Sequence, residues 1–323
     1  MKIPEDLLDF LRKRDQFFIA THISPDGDAL GSSIALSLAL ESLGKETIIY
    51  DKDPVPEFYK FLPGHERFTQ SLESFASGEP AQGGQISNLI LLDCNEIERT
   101  GIEKIEFVLS AVIDHHETES TFGDIKWIEP HAAATGLMLF YVIKELGVKI
   151  TKDIAINLYA AIAIDTGTFR YSNTTPEVLR VAAELIEAGA DPSYIAESLY
   201  ETWSENRFRL LLKVLNTLEI NNDVVITLVT LDMFRETGAS VSDTESFVGF
   251  SRILKSVNSS VLFREIENNY YKVSLRSKGK QINVAKVAAM FGGGGHRNAA
   301  GCKIRSDFKT AKETLLKAIR ESH

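Results

Sequence analysis

The stretch Ala111-Val112-Ile113-Asp114-His115-His116 decides how the rest of the chain is interpreted. A largely apolar run, residues 107–113, ends there in an acid and two histidines. This pattern predicts a buried strand of a parallel sheet that carries polar side chains at its carboxyl end. Open α/β sheets bind ligands at that edge, and a carboxylate beside two imidazoles suits a metal ion or a phosphate. A solvated turn is the plain alternative for Asp-His-His taken alone.

Three other segments repeat this pattern of an apolar run followed by acid or histidine. The first ends in His22, Asp26 and Asp28, the second in Asp93, and the third, an apolar helix, in Asp165. An N-cap would explain Asp28 alone, and a cap or turn would explain Asp93, but capping one helix needs only one acid. A lone carboxylate at the end of an apolar helix is costly unless it is paired or bound to a cation. The four segments together predict a metal centre.

Length and charge restrict the classes of partner. A chain of 323 residues suits about two domains. The net charge of −10 disfavours general binding of long nucleic acid, because that binding depends on basic patches that release counterions. We therefore expect no long duplex as a partner. A short anion can still bind in a local pocket of metal ions, arginine and histidine.

The cysteines and the apolar segments point to a location. Cys94 and Cys302 predict two free thiols in a reducing compartment. Residues 1–15 form a charged amphipathic pattern rather than a signal peptide, and no apolar stretch is long enough to span a membrane. We expect a cytoplasmic protein without a membrane partner, and the sequence leaves a homodimer open.

The succession of strand and helix patterns predicts an α/β protein with two domains. Residues 1–190 predict a mainly parallel sheet flanked by helices, with the metal centre at its edge. Residues 191–220 read as a helical linker, and residues 221–323 as a smaller mixed α+β domain.

The ligand chemistry favours particular metals. Imidazole and carboxylate without thiolate suit Mn²⁺, Zn²⁺ or Fe²⁺ better than an all-oxygen Mg²⁺ site. The candidates are too many for one ion, whereas two ions about 3.5–4 Å apart could share a carboxylate. Such a pair would clamp an in-line displacement at phosphorus and lower the pKa of a water molecule.

In this order, the four motifs resemble those of the DHH phosphoesterase superfamily over residues 16–169. Residues 293–301, Gly-Gly-Gly-His-x-x-Ala-x-Gly, are similar to the signature of the DHH-associated substrate domain. The two resemblances together cover nearly the whole chain, so they imply a complete catalytic domain followed by a substrate domain.

The resemblance implies two manganese ions, with Mg²⁺ or another divalent ion as alternatives. The first ion would be held by His22, Asp26 and Asp93. The second would be held by Asp28, Asp93, His115 and Asp165, so that Asp93 bridges the two. Asp114 would orient a ligand histidine, and His116 would face the scissile phosphate. Asp93, Asp114 and His116 are accordingly the expected catalytic residues.

The glycine run after a predicted helix at 284–291 is the second candidate site. Its N–H groups could approach a phosphate closely, although a flexible C-cap followed by a turn explains it equally well. The resemblance implies that substrate is bound by Arg276, Ser277, Gly293, Gly294, Gly295, His296 and Arg99. Lys278 and Arg297 are weaker candidates.

The size and order of the motifs look most like the stand-alone nanoRNase type of this superfamily. That type hydrolyses short oligoribonucleotides to mononucleotides, and several members convert adenosine 3′,5′-bisphosphate (pAp) to AMP. The alternatives are a phosphodiesterase for linear dinucleotides of cyclic-dinucleotide signalling and a RecJ-like single-strand exonuclease. A non-catalytic nucleotide-binding or RNA-binding module is the alternative from a different class.

Overall fold

The computed structural model describes residues 1–72, 88–102, 107–117, 121–279 and 282–322. They form two compact units, Met1–Thr202 and Trp203–His323. The division falls inside the segment predicted as a linker, whose boundaries at 191 and 220 stay a prediction. Residues 71–85, rich in Ser, Gly, Ala and Gln, predict a surface excursion, and apart from residues 71 and 72 this stretch lies outside the described residues.

A six-stranded parallel sheet, sheet A, forms the centre of the first unit. Its strands are β1 (Gln16–Ala20), β2 (Glu46–Tyr50), β3 (Phe68–Thr69), β4 (Asn88–Leu92), β5 (Leu109–Asp114) and β6 (Ile125–Ile128). They lie in the order β3-β2-β1-β4-β5-β6, and each neighbouring pair is parallel. The expected parallel α/β architecture is therefore confirmed. The order reverses between β1 and β4, which is where such sheets bind ligands.

Helices surround sheet A. They are α1 (Glu5–Lys13), α2 (Gly27–Ser42), α3 (Thr135–Glu145), α4 (Lys152–Asp165), α5 (Pro176–Glu187) and α6 (Pro192–Tyr200). α2 and α4 are apolar on nearly every side because both are buried in the core of the unit. They approach closely at Gly31, where a Cβ atom would lie 2.5 Å from the backbone oxygen of Asn157. The N-cap alternative for Asp28 does not hold, because Asp26 caps α2.

The second unit contains a mixed sheet, sheet B. Its strands are β7 (Glu219–Asn221), β8 (Val224–Val229), β9 (Ser259–Glu267), β10 (Tyr270–Ser277), β11 (Gly294–His296) and β12 (Ala299–Arg305). The order is β11-β12-β10-β9-β8-β7, with only the β8–β9 pair parallel among the described strands. This confirms the expected mixed α+β domain.

Five helices accompany the described strands of sheet B. They are α7 (Glu205–Leu215), α8 (Leu231–Thr237), α9 (Phe247–Ser251), α10 (Val284–Ala289) and α11 (Phe308–Glu321). α10 and α11 pack on one face against residues such as Val273 and Leu275. On the other face, α7 and α9 pack around Leu262 and Val229, towards the β8–β9 side.

The glycine segment differs from the prediction. The helix before it ends at Ala289 rather than at residue 291, and Gly294–His296 form an edge strand paired with β12. Glycine has a low β propensity, and no apolar residues alternate along residues 292–296, so this segment carries no sequence signal for a strand. A close backbone contact explains the glycine at position 293, because a Cβ atom there would lie 2.2 Å from the Gly301 oxygen.

Two further findings concern the thiols and the helices. Cys94 and Cys302 are both free and buried, as the sequence predicted. Among the residues that the structure describes, the helices are all too short or too polar to traverse a lipid bilayer.

The contact at Gly31 gives a test of the core. Gly31→Ala should lower the free energy of unfolding by about 1–3 kcal/mol, because the added methyl group overpacks the α2–α4 contact and this outweighs the better helix propensity of alanine. The matched control is Gly249→Ala in α9, where a Cβ atom meets nothing within 4 Å. Thermal unfolding of both variants measures the difference. A Gly31→Ala protein as stable as the wild type would contradict this packing.

Candidate metal centre

The carboxyl ends of β1, β4 and β5 bring the predicted strand-end residues together. His22 follows β1 by two residues, Asp93 directly follows β4, and β5 ends at Asp114. Because β1 and β4 are adjacent, His22 Nε2 lies 3.5 Å from Asp93 Oδ2 across the point where the strand order reverses. Asp93 adopts a left-handed backbone conformation with φ of 56°. This conformation is uncommon for a non-glycine residue but accessible to aspartate, and such residues cluster at functional sites.

Three overlapping groups of residues bring their donor atoms together, and within each group these atoms lie within 4.8 Å of one another. They are His22, Asp26 and Asp93; Asp28, His115 and Asp165; and Asp93, His115 and His116. The six residues expected to hold metal ions all belong to these groups. Asp93 belongs to two groups, which is the position a shared carboxylate would occupy. Their assignment as ligands remains a prediction.

Both predicted ligand histidines direct the same ring nitrogen, Nε2, toward the carboxylates. His22 Nδ1 contacts the backbone oxygen of Ile23 at 3.2 Å, and His115 Nδ1 contacts that of Ala132 at 3.3 Å. With Nδ1 donating to a carbonyl oxygen, Nε2 carries the lone pair in the neutral ring. His115 Nε2 lies 3.0 Å from Asp165, 3.4 Å from Asp93 and 3.7 Å from Asp28. This is the orientation that backbone partners impose on metal-binding histidines.

Asp28 is held by the first turn of another helix. Its oxygens accept hydrogen bonds from the backbone N–H groups of Thr135 at 2.6 Å and Gly136 at 2.8 Å, at the start of α3. The hydroxyl of Ser32 donates to it at 3.0 Å. α3 has no cap from its own N-cap residue, Ala134, so the carboxylate also satisfies N–H groups that would otherwise lack partners.

Thr135 is a site residue that sequence reasoning missed. Besides its backbone bond to Asp28, its hydroxyl donates to Asp93 Oδ1 at 3.1 Å and thus links two predicted ligands. Its position directly after an alanine run at a helix start was the only local signal. Asn173 was also missed. Its amide donates to the backbone oxygens of Ala133 and Asp165, at 3.2 and 3.1 Å, and ties the end of α4 to the start of α3.

The charges of the cluster shift its pKa values. Burial, then the charges of Asp93 and Asp165, raise the pKa of Asp26 to about 6, and the same causes raise the pKa of Asp28. Burial would also raise the pKa of Asp93, but hydrogen bonds from His115 and His22 outweigh it and hold that pKa well below its usual range. The cluster thus concentrates negative charge that needs a positive partner.

The histidines respond in the opposite direction. Burial alone would lower the pKa of His22, but Asp93 and Asp26 outweigh it and raise the value to about 9. For His115, Asp165 and Asp93 likewise outweigh burial and raise the pKa to about 12. The acids therefore attract protons to the imidazoles, as they would attract divalent cations.

Asp114 contacts the second histidine of the motif. Its Oδ1 lies 2.6 Å from His116 Nδ1, so it orients the residue expected to face the phosphate, whereas the backbone of Ala132 orients the ligand histidine His115. His116 Nδ1 lies 3.7 Å from Asp93 Oδ1. Asp114 Oδ2 is buried without a hydrogen-bond partner among the described residues.

The predicted substrate residues fall in both units. Arg99 lies near the metal cluster, because its backbone oxygen accepts a hydrogen bond of 2.7 Å from Ile23, next to His22. In the second unit, strand pairing places His296, Ala299 and Arg276 in one cross-strand row. Gly295 pairs with Ala300 in the next row, and Gly294 pairs with Gly301 in the row after that, on the same face as His296.

Two neighbours of Arg276 have structural partners. Ser277 is buried, and its hydroxyl lies 3.0 Å from Asn298 Oδ1 and 3.1 Å from the Ile282 oxygen, so we propose only a positioning role for it. Lys278 Nζ donates to the Leu254 oxygen at 2.7 Å. Arg276 itself is half-buried, and its Nη1 donates to the Leu275 oxygen at 3.0 Å.

The sequence matches two known family models. Residues 16–162 match the N-terminal domain of the DHH family, and residues 222–322 match the DHHA1 domain. The chain is 39% identical over 306 residues to the bifunctional oligoribonuclease and PAP phosphatase NrnA of Thermus thermophilus, covering 94% of this chain and 89% of that protein. The chain belongs to the DHH family of phosphoesterases.

Other members of the DHH family agree with this assignment. NrnA of Bacillus subtilis is 28% identical over 309 residues, which cover 93% of each chain. The crystal structure of an exopolyphosphatase-related protein from Bacteroides fragilis has a TM-score of 0.90 and 28% identity, covering 98% of this chain and 95% of that one. The resemblance inferred from the motifs is confirmed.

The hydroxyl of Thr135 can be tested separately from its backbone. Thr135→Val removes the bond to Asp93 and keeps the N–H group that binds Asp28, so Mn²⁺ affinity should fall about tenfold, as for other outer-shell partners. Thr135→Ser, which keeps the hydroxyl, should bind Mn²⁺ almost normally. Calorimetric titration of the metal-free proteins measures both. Equal Mn²⁺ affinity of the Val variant and the wild type would show that the hydroxyl does not position Asp93.

Proposed function

We propose that this protein is a two-metal phosphoesterase that hydrolyses short oligoribonucleotides to mononucleotides and pAp to AMP. One observation carries the proposal: the Nε2 atoms of His22 and His115 converge on Asp93 and the three carboxylates around it, Asp26, Asp28 and Asp165. The two relatives named as bifunctional oligoribonucleases and PAP phosphatases support the substrate class. Free buried thiols support a place in the cytoplasm.

The donor set fits two divalent ions. His22, Asp26 and Asp93 would hold one ion, and Asp28, His115 and Asp165 would hold the other together with Asp93. Nitrogen and oxygen donors without sulfur favour Mn²⁺ among the metals that suit such a site. When bound, two such ions would lower the pKa of a water molecule and neutralise charge on the phosphate.

His116 and Asp114 would assist proton transfer at that phosphate. Asp114 Oδ1 accepts from His116 Nδ1 at 2.6 Å, so Asp114 fixes the orientation of this ring. His116 would then donate to a phosphate oxygen or to the leaving group, while the buried Asp114 side chain keeps the ring in place.

Arg276 would bind the end of the substrate away from the reacting phosphate. It shares a cross-strand row with His296, and the adjoining Gly294 and Gly301 leave that part of sheet B without large side chains. A guanidinium can bind a phosphate through two parallel hydrogen bonds. The proposal therefore separates chemistry, in the first unit, from retention of the substrate, in the second.

The experiment that tests the function is a substrate panel. Wild-type protein with Mn²⁺ is assayed on pAp, pGpG, pApA and RNAs of two to twenty nucleotides. We expect turnover of pAp and of the shortest RNAs, with rates that fall steeply as the RNA grows. Preference for pGpG alone would favour the linear-dinucleotide phosphodiesterase, and equal rates on short and long RNA would favour the RecJ-like exonuclease.

Metal dependence has its own test. Asp93→Ala should abolish turnover and reduce metal content, because one residue serves both ions. Asp9→Ala, a surface change on α1, is the control for charge and stability and should behave like the wild type. Metal analysis and hydrolysis rates with Mn²⁺ measure the two effects in both variants. Undiminished hydrolysis after exhaustive chelation of the wild type would refute the two-metal mechanism.

The division of labour predicts a substrate-dependent effect of Arg276. Arg276→Ala should reduce kcat/KM for pAp by about ten- to a hundredfold, since a charge-assisted contact is worth about 1.5–3 kcal/mol, and leave metal content unchanged. A small artificial phosphodiester without a second phosphate should be hydrolysed almost normally. Arg305→Ala, in the same sheet but paired with Glu267, is the control. An equal loss on both substrates would place Arg276 at the reacting phosphate instead.

A further inference from the structure

Three basic side chains lie side by side across sheet B. Lys272 on β10 pairs in register with Arg264 on β9 and with Lys303 on β12. We call these three residues the basic row. Tyr271 and Val273, on either side of Lys272, face the core, so alternation places the basic row on the opposite face. Lys272 and Lys303 are exposed and Arg264 is half-buried.

The positive charges of the basic row are only partly balanced, by the charge of Glu245, which acts on Lys272. Among the described residues, no salt bridge involves any of the three. Arg305, two residues beyond Lys303, shows the contrast: it lies 3.5 Å from Glu267 and 4.1 Å from the ring of Tyr270. Like charges directly opposite each other destabilise a sheet. Three such charges in a protein of net charge −10 call for an anionic ligand.

The pKa of Lys272 is affected by the neighbouring basic groups. Its side chain reaches the surface, but partial desolvation by the atoms around it, then the charges of Arg264 and Lys303, lower its pKa, and Glu245 acts in the opposite direction. An anion bound at the row would relieve the repulsion that lowers the pKa.

The register relates the basic row to the proposed phosphate site. Arg276, in the row with Ala299 and His296, lies four residues along β10 from Lys272, which is about 14 Å on the same face. The row between them contains Ser274, Gly301 and Gly294. A Cβ atom on Gly294 would meet nothing within 4 Å, so the space over Gly294 in this intermediate row is open.

We propose that the basic row binds phosphate groups of an oligoribonucleotide that lie beyond both the terminal phosphate, held at Arg276, and the reacting phosphate. This inference rests on the proposed function and extends it, because it gives substrates longer than a dinucleotide their own contacts. A dinucleotide or pAp is held at Arg276 and does not need the basic row.

The test compares substrates of two lengths. The double variant Lys272→Gln, Lys303→Gln should raise KM about tenfold for a five-nucleotide RNA and leave kcat unchanged, while KM for pApA stays at the wild-type value. The slope of log KM against log salt concentration for the longer RNA should fall by about two, one for each lost phosphate contact. The matched control is Lys309→Gln, Lys317→Gln on α11, an equal charge change on exposed lysines of the helix that packs on the opposite face.

A binding measurement separates this inference from the proposed activity. The Kd of a fluorescent five-nucleotide RNA in chelator, where no hydrolysis occurs, should rise about tenfold in the double variant and not in the control. Wild-type protein inactive on every substrate would refute the proposed function. The Kd measurement would then still test whether the basic row binds RNA. Unchanged Kd and KM, or an equal loss on both lengths, would overturn the inference. So would an acidic peptide that binds the row as tightly as the RNA, because it would assign the row to a protein partner.

Discussion

Electrostatic repulsion among the carboxylates at the edge of sheet A is the constraint on which the first unit depends. Asp26, Asp28 and Asp93 lie within a few ångströms of one another and of Asp165, and burial makes their charges costly. The fold compensates the charge of each of these three carboxylates in a different way. The first turn of α2 binds Asp26, the first turn of α3 binds Asp28, and two histidines contact Asp93.

These compensations also fix the geometry. A carboxylate that accepts two backbone N–H groups cannot rotate freely, so Asp28 presents its oxygens in one orientation. The backbone bonds of His22 and His115 do the same for the imidazoles. The groups that make the charges tolerable are therefore the groups that preorganise a metal site. Substitution of such a partner should disturb metal binding more than folding.

Much of the site was predictable because strand ends in a parallel sheet must meet at one edge. That rule brought His22, Asp93 and His115 together from sequence alone. It could not find Thr135, whose bonds to Asp28 and Asp93 span 107 and 42 residues and depend on how α3 packs. Nor could it decide which histidine Asp114 contacts, since both alternatives follow the same strand. The edge strand at Gly294 was hidden because its pairing partner, and not its own composition, makes it a strand.

The two units differ in what they can recognise. The carboxylates and imidazoles of the first unit are suited to ions and to the phosphate that reacts, and neither carries information about base identity. In the second unit, the rows around Arg276 and Lys272 offer charge, and Ser274, Gly294 and Gly301 between them offer one hydroxyl and no other polar side-chain group. Sequence-specific recognition of RNA requires hydrogen bonds to base edges or shaped pockets for the bases. A surface that contacts phosphates across small residues would therefore accept nucleotides irrespective of base and select them by the number and spacing of their charges. That selectivity is appropriate for an enzyme whose substrates are short fragments of any sequence.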